Sequence, residues 1–239
     1  MMEILALSSS RAGNGAYLET AAPLVEEVLG ATDGPVAFIP FAAADREYTR
    51  YADRVREALP SLAARIQVVS ENEAEGALQQ AAAILVGGGN TFKLLHDLYR
   101  LQLLDAIRQK VAQGCPYIGW SAGANLAGRS IATTNDMPII QPPSFTSLGF
   151  FPFQINPHYL NLKTEGFHGE TRDMRLEEFL LLNPGIPVVG LPEGTALRLQ
   201  HGRLWYAGGV CAALFQSGAA AKPLRRDILP GEDLSFLLL

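Results

Sequence analysis

Along the first half of the chain, short unbroken apolar runs alternate with stretches in which apolar residues return every three or four positions. The run "EILAL" (3–7) predicts a strand. Leu18, Ala21, Ala22, Val25, Val28 and Leu29 then fall on one helical face, with Gly30 as a natural stop. Pro23 lies inside that pattern, so the helix either begins late or kinks. "VAFIP" (36–40) predicts a second strand, and Tyr48, Tyr51, Ala52, Val55 and Leu59 mark a second helix face. Residues 66–69 and 83–87 are further strands, 91–113 is helical in two pieces, and "PYIGW" (116–120) is the next strand. Strands alternating with helices predict an α/β fold with a mostly parallel central sheet and helices on both faces. In such sheets ligands bind beyond the carboxyl ends of the strands, where the loops 87–91 and 119–123 lie.

The alternation fails after residue 126. Residues 138–158 carry five prolines and four phenylalanines and predict a long ordered loop. "TRDMRLEEFLLL" (171–182) is a helix stopped by "NPG". "PVVGL", "ALRLQ" and "LWYAG" follow as short strands, with "HG" (201–202) as one of the turns between them. There is no repeat, low-complexity block or long linker, and a single domain over 1–239 is expected.

Composition narrows the function. The 239 residues are 48% apolar, enough for a substantial core. The net charge is −5 with no dense Lys/Arg stretch, which argues against binding along a nucleic-acid backbone and leaves any anionic ligand to a few local cations. Cys115 and Cys211, with four scattered histidines, form no metal-ligand pattern. "MMEILALSSS" has no basic region ahead of its apolar run, and "AAAILVGGG" is too short to span a bilayer, so a soluble cytoplasmic protein without membrane association is expected.

The chemistry concentrates at Gly119-Trp120-Ser121-Ala122-Gly123, a G-x-S-x-G sequence at a predicted strand-to-helix turn. Flanking glycines relieve crowding around a strained backbone and present the Ser121 hydroxyl, while the following amide, on Ala122, can face an oxyanion. The bland reading makes Ser121 a helix N-cap. "GGGNT" (87–91) lacks the lysine of a phosphate loop; Gly88 or Gly89 could supply a second oxyanion amide, or Asn90 or Thr91 could simply cap the next helix. A serine nucleophile needs a base. His96 falls in a helix pattern and His201 in a turn, His168 remains open near a helix start, and His158 in "INPHY" leads. The acceptor that orients the base is Glu193 in "GLPEG", with Asp136 in "TTNDMP" as its rival. Arg172 and Arg175 are ordinarily solvated, yet an arginine beside a catalytic site can hold a carboxylate bidentately.

"GGGNTF", "GWSAGAN", "TTNDMP", "FQINPHY", "HGETR" and "GLPEG" occur in the order seen in the peptidase E, or aspartyl dipeptidase, family, and the chain resembles that family from its N-terminus to about residue 210. The segment "KTEGFHG" (163–169) resembles it only loosely. The resemblance implies a variant of the class I glutamine-amidotransferase-like fold and a serine peptidase cleaving dipeptides with N-terminal aspartate. On the matching positions it implies Ser121 as nucleophile, His158 as base, Glu193 as orienting acid, Gly88 and Ala122 as oxyanion donors, and Arg172 as reader of the substrate side-chain carboxylate. Asn90 and Asp136 are further candidates for contact with substrate. No metal or cofactor is required; the expected partner is a small peptide, and a homodimer stays open. The competing readings are a cyanophycinase-like exopeptidase acting on β-aspartyl-arginine, a glutamine amidotransferase, disfavoured by serine rather than cysteine at the elbow, and a non-catalytic domain that holds an anion at "GGGN".

Overall fold

The computed structural model describes residues 1–30, 32–162, 165–166, 168–218 and 222–239. Lys163, Thr164 and Phe167 of the loosely matching segment lie outside the described residues. The apolar runs form β1 (Ile4–Leu7), β2 (Val36–Ile39), β3 (Ile66–Val68), β4 (Ala83–Val86) and β5 (Tyr117–Trp120). They pair in parallel in the order β3-β2-β4-β5-β1. The sheet continues through β8 (Ala196–Gln200) and β9 (Arg203–Ala207), each antiparallel to its neighbour. The turn between these two, His201–Gly202, has both residues at positive φ, as a tight hairpin requires.

Both faces of β1, β2, β4 and β5 are covered, which is why those runs are apolar throughout, whereas β3 at the sheet edge exposes Gln67. Side chains alternate between the faces: Ile4, Ala37, Ile39, Ile84 and Val86 enter one cluster, and Leu5, Leu7, Phe38 and Leu85 the other. The second cluster is closed by α1 (Ala22–Gly30) and α2 (Tyr48–Ala58) through Val25, Val28, Leu29, Ala52 and Val55. Helix α1 begins late: Pro23 sits in its first turn, where its missing N–H costs nothing. The first cluster is closed by α3 (Ala74–Gln80), α4 (Thr91–Arg100), α5 (Leu103–Ala112) and α6 (Ala122–Leu126). The helical stretch 91–113 is divided by Gln102 in the left-handed region, φ 56. Fully buried residues such as Leu94, Leu98 and Ile107 each stabilise by about 1.5–3 kcal/mol.

Four strands lie outside this sheet. β6 (Gln154–Asn156), β7 (Val188–Gly190), β10 (Ala212–Ser217) and β11 (Pro223–Ile228) form a second sheet in the order β11-β10-β7-β6. One face packs under α7 (Arg172–Leu182), where Leu176 and Leu180 meet Val188, Ala213 and Phe215. The other face, with Ile155, Val189 and Leu214, joins the core of the large sheet. The segment expected to be loop over 138–158 therefore contains a strand, and the last thirty residues supply β10 and β11.

Close approach makes a testable pair of glycines. A Cβ on Gly123, in α6, would lie 2.3 Å from the Val86 carbonyl oxygen, a backbone atom that cannot step aside. Gly76, in α3, has nothing within 4 Å of an added Cβ. Gly123→Ala is expected to destabilise by about 2 kcal/mol or more, whereas Gly76→Ala should stabilise by roughly 0.5–1 kcal/mol by removing a helical glycine. Denaturant midpoints of the two variants decide this; equal shifts would contradict the packing.

Candidate active site

Strands β4, β5 and β1 are parallel neighbours, so the loops that leave their carboxyl ends meet at one edge of the sheet. Ser121 leaves β5 with φ 54 and ψ −110, a strained conformation for a residue with a side chain. Its amide donates to the Leu7 carbonyl at 3.0 Å, and its own carbonyl accepts from the Asn125 amide at 2.9 Å. The Tyr117 hydroxyl donates to the Gly123 carbonyl at 2.7 Å beneath the turn. The serine is thus held from both sides while its side chain makes no capping bond to α6.

Gly88 leaves β4 directly against the serine: an added Cβ would sit 3.0 Å from Ser121 Cβ and 3.1 Å from Trp120 Cδ1. Gly89, at φ 137, instead passes the Ala42 carbonyl, which a Cβ would approach to 2.4 Å. Of the two candidate amides, Gly88 belongs to the glycine beside the hydroxyl. Ala122 opens α6, where the first N–H groups have no partner within the helix.

His158 follows β6 and Glu193 follows β7, and these two strands are parallel, so both residues emerge at the same end of the second sheet. Ser121 Oγ and His158 Nε2 are 2.8 Å apart, and His158 Nδ1 and Glu193 Oε1 are 2.8 Å apart. With a carboxylate on Nδ1, that nitrogen carries the proton and Nε2 is free to accept from the serine. The side chains of His158 and Glu193 are 39% and 52% exposed, so this carboxylate acts by orientation more than as a desolvated charge. His158 has φ 52. The buried hydroxyl of Ser8, just past β1, accepts from the His158 amide at 2.9 Å and donates to the Leu191 carbonyl at 2.7 Å. Ser9 accepts from the Gly194 amide at 3.0 Å, next to Glu193.

The rival acid lies elsewhere. Asp136 Oδ2 accepts from the Thr91 amide at 2.7 Å and from the Thr91 hydroxyl at 2.5 Å, at the start of α4. Asn90 caps the same helix, accepting from the Lys93 amide at 3.0 Å and donating to the Met137 carbonyl at 2.8 Å. Both side chains thus brace the start of α4 through Asp136 Oδ2 and the Asn90 amide, while Asn90 also lines the cavity that opens on Ser121. His96 contacts the Gln141 carbonyl, and His168 and His201 are exposed away from the serine–histidine pair.

Arg172 opens α7, half-buried, with Nη1 3.5 Å from Asn156 Oδ1. Among the described residues no carboxylate pairs with it. Burial, then the neighbouring Arg175 charge, lower its pKa from the usual arginine value. Arg175 itself is exposed. The next residue, Asp173, accepts from the Tyr159 hydroxyl at 2.6 Å and pairs with Arg225 at 3.3 Å. Burial first, and the Asp173 hydrogen bond next, push the Tyr159 phenol up to about 12. Tyr159 follows His158, so the start of α7 is fixed relative to the base. Among the described residues no three His, Cys, Asp or Glu side chains converge as a metal-ligand set.

Sequence reasoning missed Ser8, Tyr17 and Tyr51. The Trp120 indole donates to the Tyr51 hydroxyl at 3.1 Å, which donates to the Gly88 carbonyl at 3.0 Å. Burial raises the Tyr51 pKa. The signal for Ser8 was available: "LSSS" leaves the carboxyl end of a parallel strand, the same criterion that singled out the glycine and serine loops.

The arrangement can be set beside known proteins. A protein named Peptidase E from Shewanella amazonensis is 47% identical over 235 residues, 98% of each chain. Another of that name from a Nostoc species is 44% identical over 236 residues, 98% of this chain and 96% of the other. A crystal structure of a peptidase from an acI-B1 actinobacterium shares the fold, with a TM-score of 0.71 at 16% identity over 99% of this chain and 97% of that one. The description of peptidase family S51 matches residues 4–205, and the chain belongs to that family of serine peptidases.

Proposed function

We propose that the protein hydrolyses dipeptides with N-terminal aspartate through an acyl-enzyme. The observation that carries the reading is the continuous hydrogen-bonded path from Ser121 through His158 to Glu193. Ser121 attacks the peptide carbonyl while His158 Nε2 takes its proton. The Gly88 and Ala122 amides stabilise the oxyanion, each worth about 10²–10³ in rate. His158 returns the proton to the departing amine, and water, activated by the same nitrogen, releases the aspartyl group. Half-buried Arg172, without a carboxylate partner among the described residues, supports aspartate as the residue read, since the chain as a whole is acidic and offers no long-range attraction for a carboxylate. The relatives' name, Peptidase E, supports a peptide substrate.

Ser121→Ala should fold normally and lose about 10⁴–10⁶ of turnover; a folded variant keeping more than a tenth of wild-type activity would remove the serine from its role.

Glu193→Gln is expected to cut kcat by on the order of 10²–10⁴ with little change in stability. Asp136→Asn should instead lower stability by about 1 kcal/mol, by weakening the charged cap on α4. Measuring kcat and the melting temperature of both separates the two acids, and the opposite pattern would move the orienting role to Asp136.

The substrate assignment rests on a ratio. The wild type should favour Asp-Leu over Ala-Leu, and Arg172→Ala should collapse that preference by about thirtyfold or more, the loss expected when one partner of a partly desolvated charge pair goes. Ratios of kcat/KM for the two dipeptides decide it: an unchanged ratio in Arg172→Ala clears that residue, and a wild-type ratio near one overturns the aspartyl reading.

A further inference from the structure

Arg172 carries the charge that the proposed substrate needs, yet a long, flexible side chain reads a carboxylate well only when the plane of its guanidinium is set. Asn156, the last residue of β6 and 1% exposed, faces it. Both N–H groups of the Asn156 side-chain amide are engaged: Nδ2 donates to the Thr133 carbonyl at 2.8 Å and to Asn135 Oδ1 at 2.6 Å. Asn135 is fixed in its turn, because its Nδ2 donates to the Pro157 carbonyl at 2.6 Å. A flipped Asn156 amide would set its oxygen against two acceptors, so the network turns Oδ1 toward Arg172, 3.5 Å from Nη1. The strand beneath is pinned as well. The Ile155 carbonyl accepts from Asn125 Nδ2 at 2.6 Å and from the Thr133 hydroxyl at 2.9 Å, and Asn125 lies in α6, the helix that follows Ser121.

We propose that Asn156 is a positioning residue for substrate selection: it orients the Arg172 guanidinium toward an aspartyl carboxylate, and it does so with a neutral oxygen, which leaves the charge for the ligand. The proposal rests on the aspartyl dipeptidase reading. The chemistry of this acceptor matters as much as its place. A carboxylate in the position of the Asn156 amide would form an ion pair with Arg172 and compete with the carboxylate of the substrate. The acid next in sequence, Asp173, is held instead by Tyr159 and Arg225. Arg172 is thus half-buried and oriented, with no carboxylate on it among the described residues. A fork held in place loses less freedom when it closes on a ligand, so the gain appears as affinity for the charged side chain. Asn135, which fixes the Asn156 amide, bonds to the carbonyl of Pro157, the residue before His158. The reader of the side chain and the base are therefore referenced to one turn.

The test measures kcat and KM for Asp-Leu and Ala-Leu in the wild type, Asn156→Ala, Asn156→Asp and Asn135→Ala, with the folding of each checked by its melting temperature. Asn156→Ala should lower the ratio of kcat/KM for the two dipeptides by about tenfold, mainly through KM for Asp-Leu, as for one lost hydrogen bond to a charged group. Asn156→Asp keeps the acceptor but cancels the charge, and should bring the ratio close to that of Arg172→Ala. Asn135 is exposed, so Asn135→Ala tests the same chain with little risk to folding; by releasing the Asn156 amide it should lower the ratio by about threefold. Adding Asn156→Ala to Arg172→Ala should leave the ratio where Arg172→Ala alone puts it, because Asn156 acts through the arginine. Losses that fall on both dipeptides in proportion, or a ratio that drops further in the double variant, overturn the positioning role while leaving the aspartyl reading in place. A wild-type ratio near one overturns both.

Discussion

The site depends on one buried hydroxyl. Ser8 ends the first strand of the large sheet, yet its side chain binds backbone groups that belong to the loops leaving the second sheet. It is fully buried, so losing it would leave the His158 amide without this partner, at about 1–3 kcal/mol, and the Leu191 carbonyl with the Tyr159 amide alone. That is the same scale as the cost of holding a residue with a side chain at positive φ, as His158 is. The hydroxyl thus offsets the strain that aims the imidazole, and it does so from the sheet that carries the nucleophile. The Ser8 amide adds a 2.8 Å bond to the Thr195 carbonyl, two residues past Glu193. Two segments far apart in sequence, at His158 and at 191–195, are tied to one strand end.

A second set of contacts holds the other flank. Trp120 precedes the serine, and its indole reaches through Tyr51 to the Gly88 carbonyl. Tyr51 is on α2, so this helix, the serine elbow and the glycine loop move as one unit. Stacking of Trp120 on Phe38, with Tyr51 edge-on to the same ring, roots that unit in the core. On the opposite flank Tyr159, Asp173 and Arg225 tie α7 to the second sheet.

What could be read from sequence follows from what is local. The strand and helix alternation up to Leu126 was legible because burial on both faces makes continuous apolar runs and burial on one helix face makes a 3.6-residue period. The elbow was legible because Gly119 and Gly123 are both forced by backbone contacts. Helix α3 escaped notice because its buried face is only Ala74 and Leu78. Strand β6 was hidden for a different reason: Gln154 and Asn156 are buried polar residues whose partners, Ser130, Thr133 and Asn135, lie more than twenty positions away. β11 shows four exposed positions in six, which no alternation rule would select. Glu193 led Asp136 in sequence although each is an acid in a turn, and the pairing of β6 with β7 puts Glu193 on the histidine.

The division of the site between two sheets governs when the chain can become reactive. A nascent chain exposed as far as Leu126 contains the nucleophile, the elbow and the glycine loop, all within the first five strands. It contains neither His158 nor Glu193, which arrive 37 and 72 residues after Ser121, behind strands β6 and β7 that must pair with each other and whose following loops bind Ser8 at the end of β1. Until then the serine is an ordinary alcohol of very weak nucleophilicity. On the proposed mechanism, order of synthesis does here what a removable propeptide does elsewhere: hydrolytic power is withheld until the polypeptide that bears it has assembled both sheets.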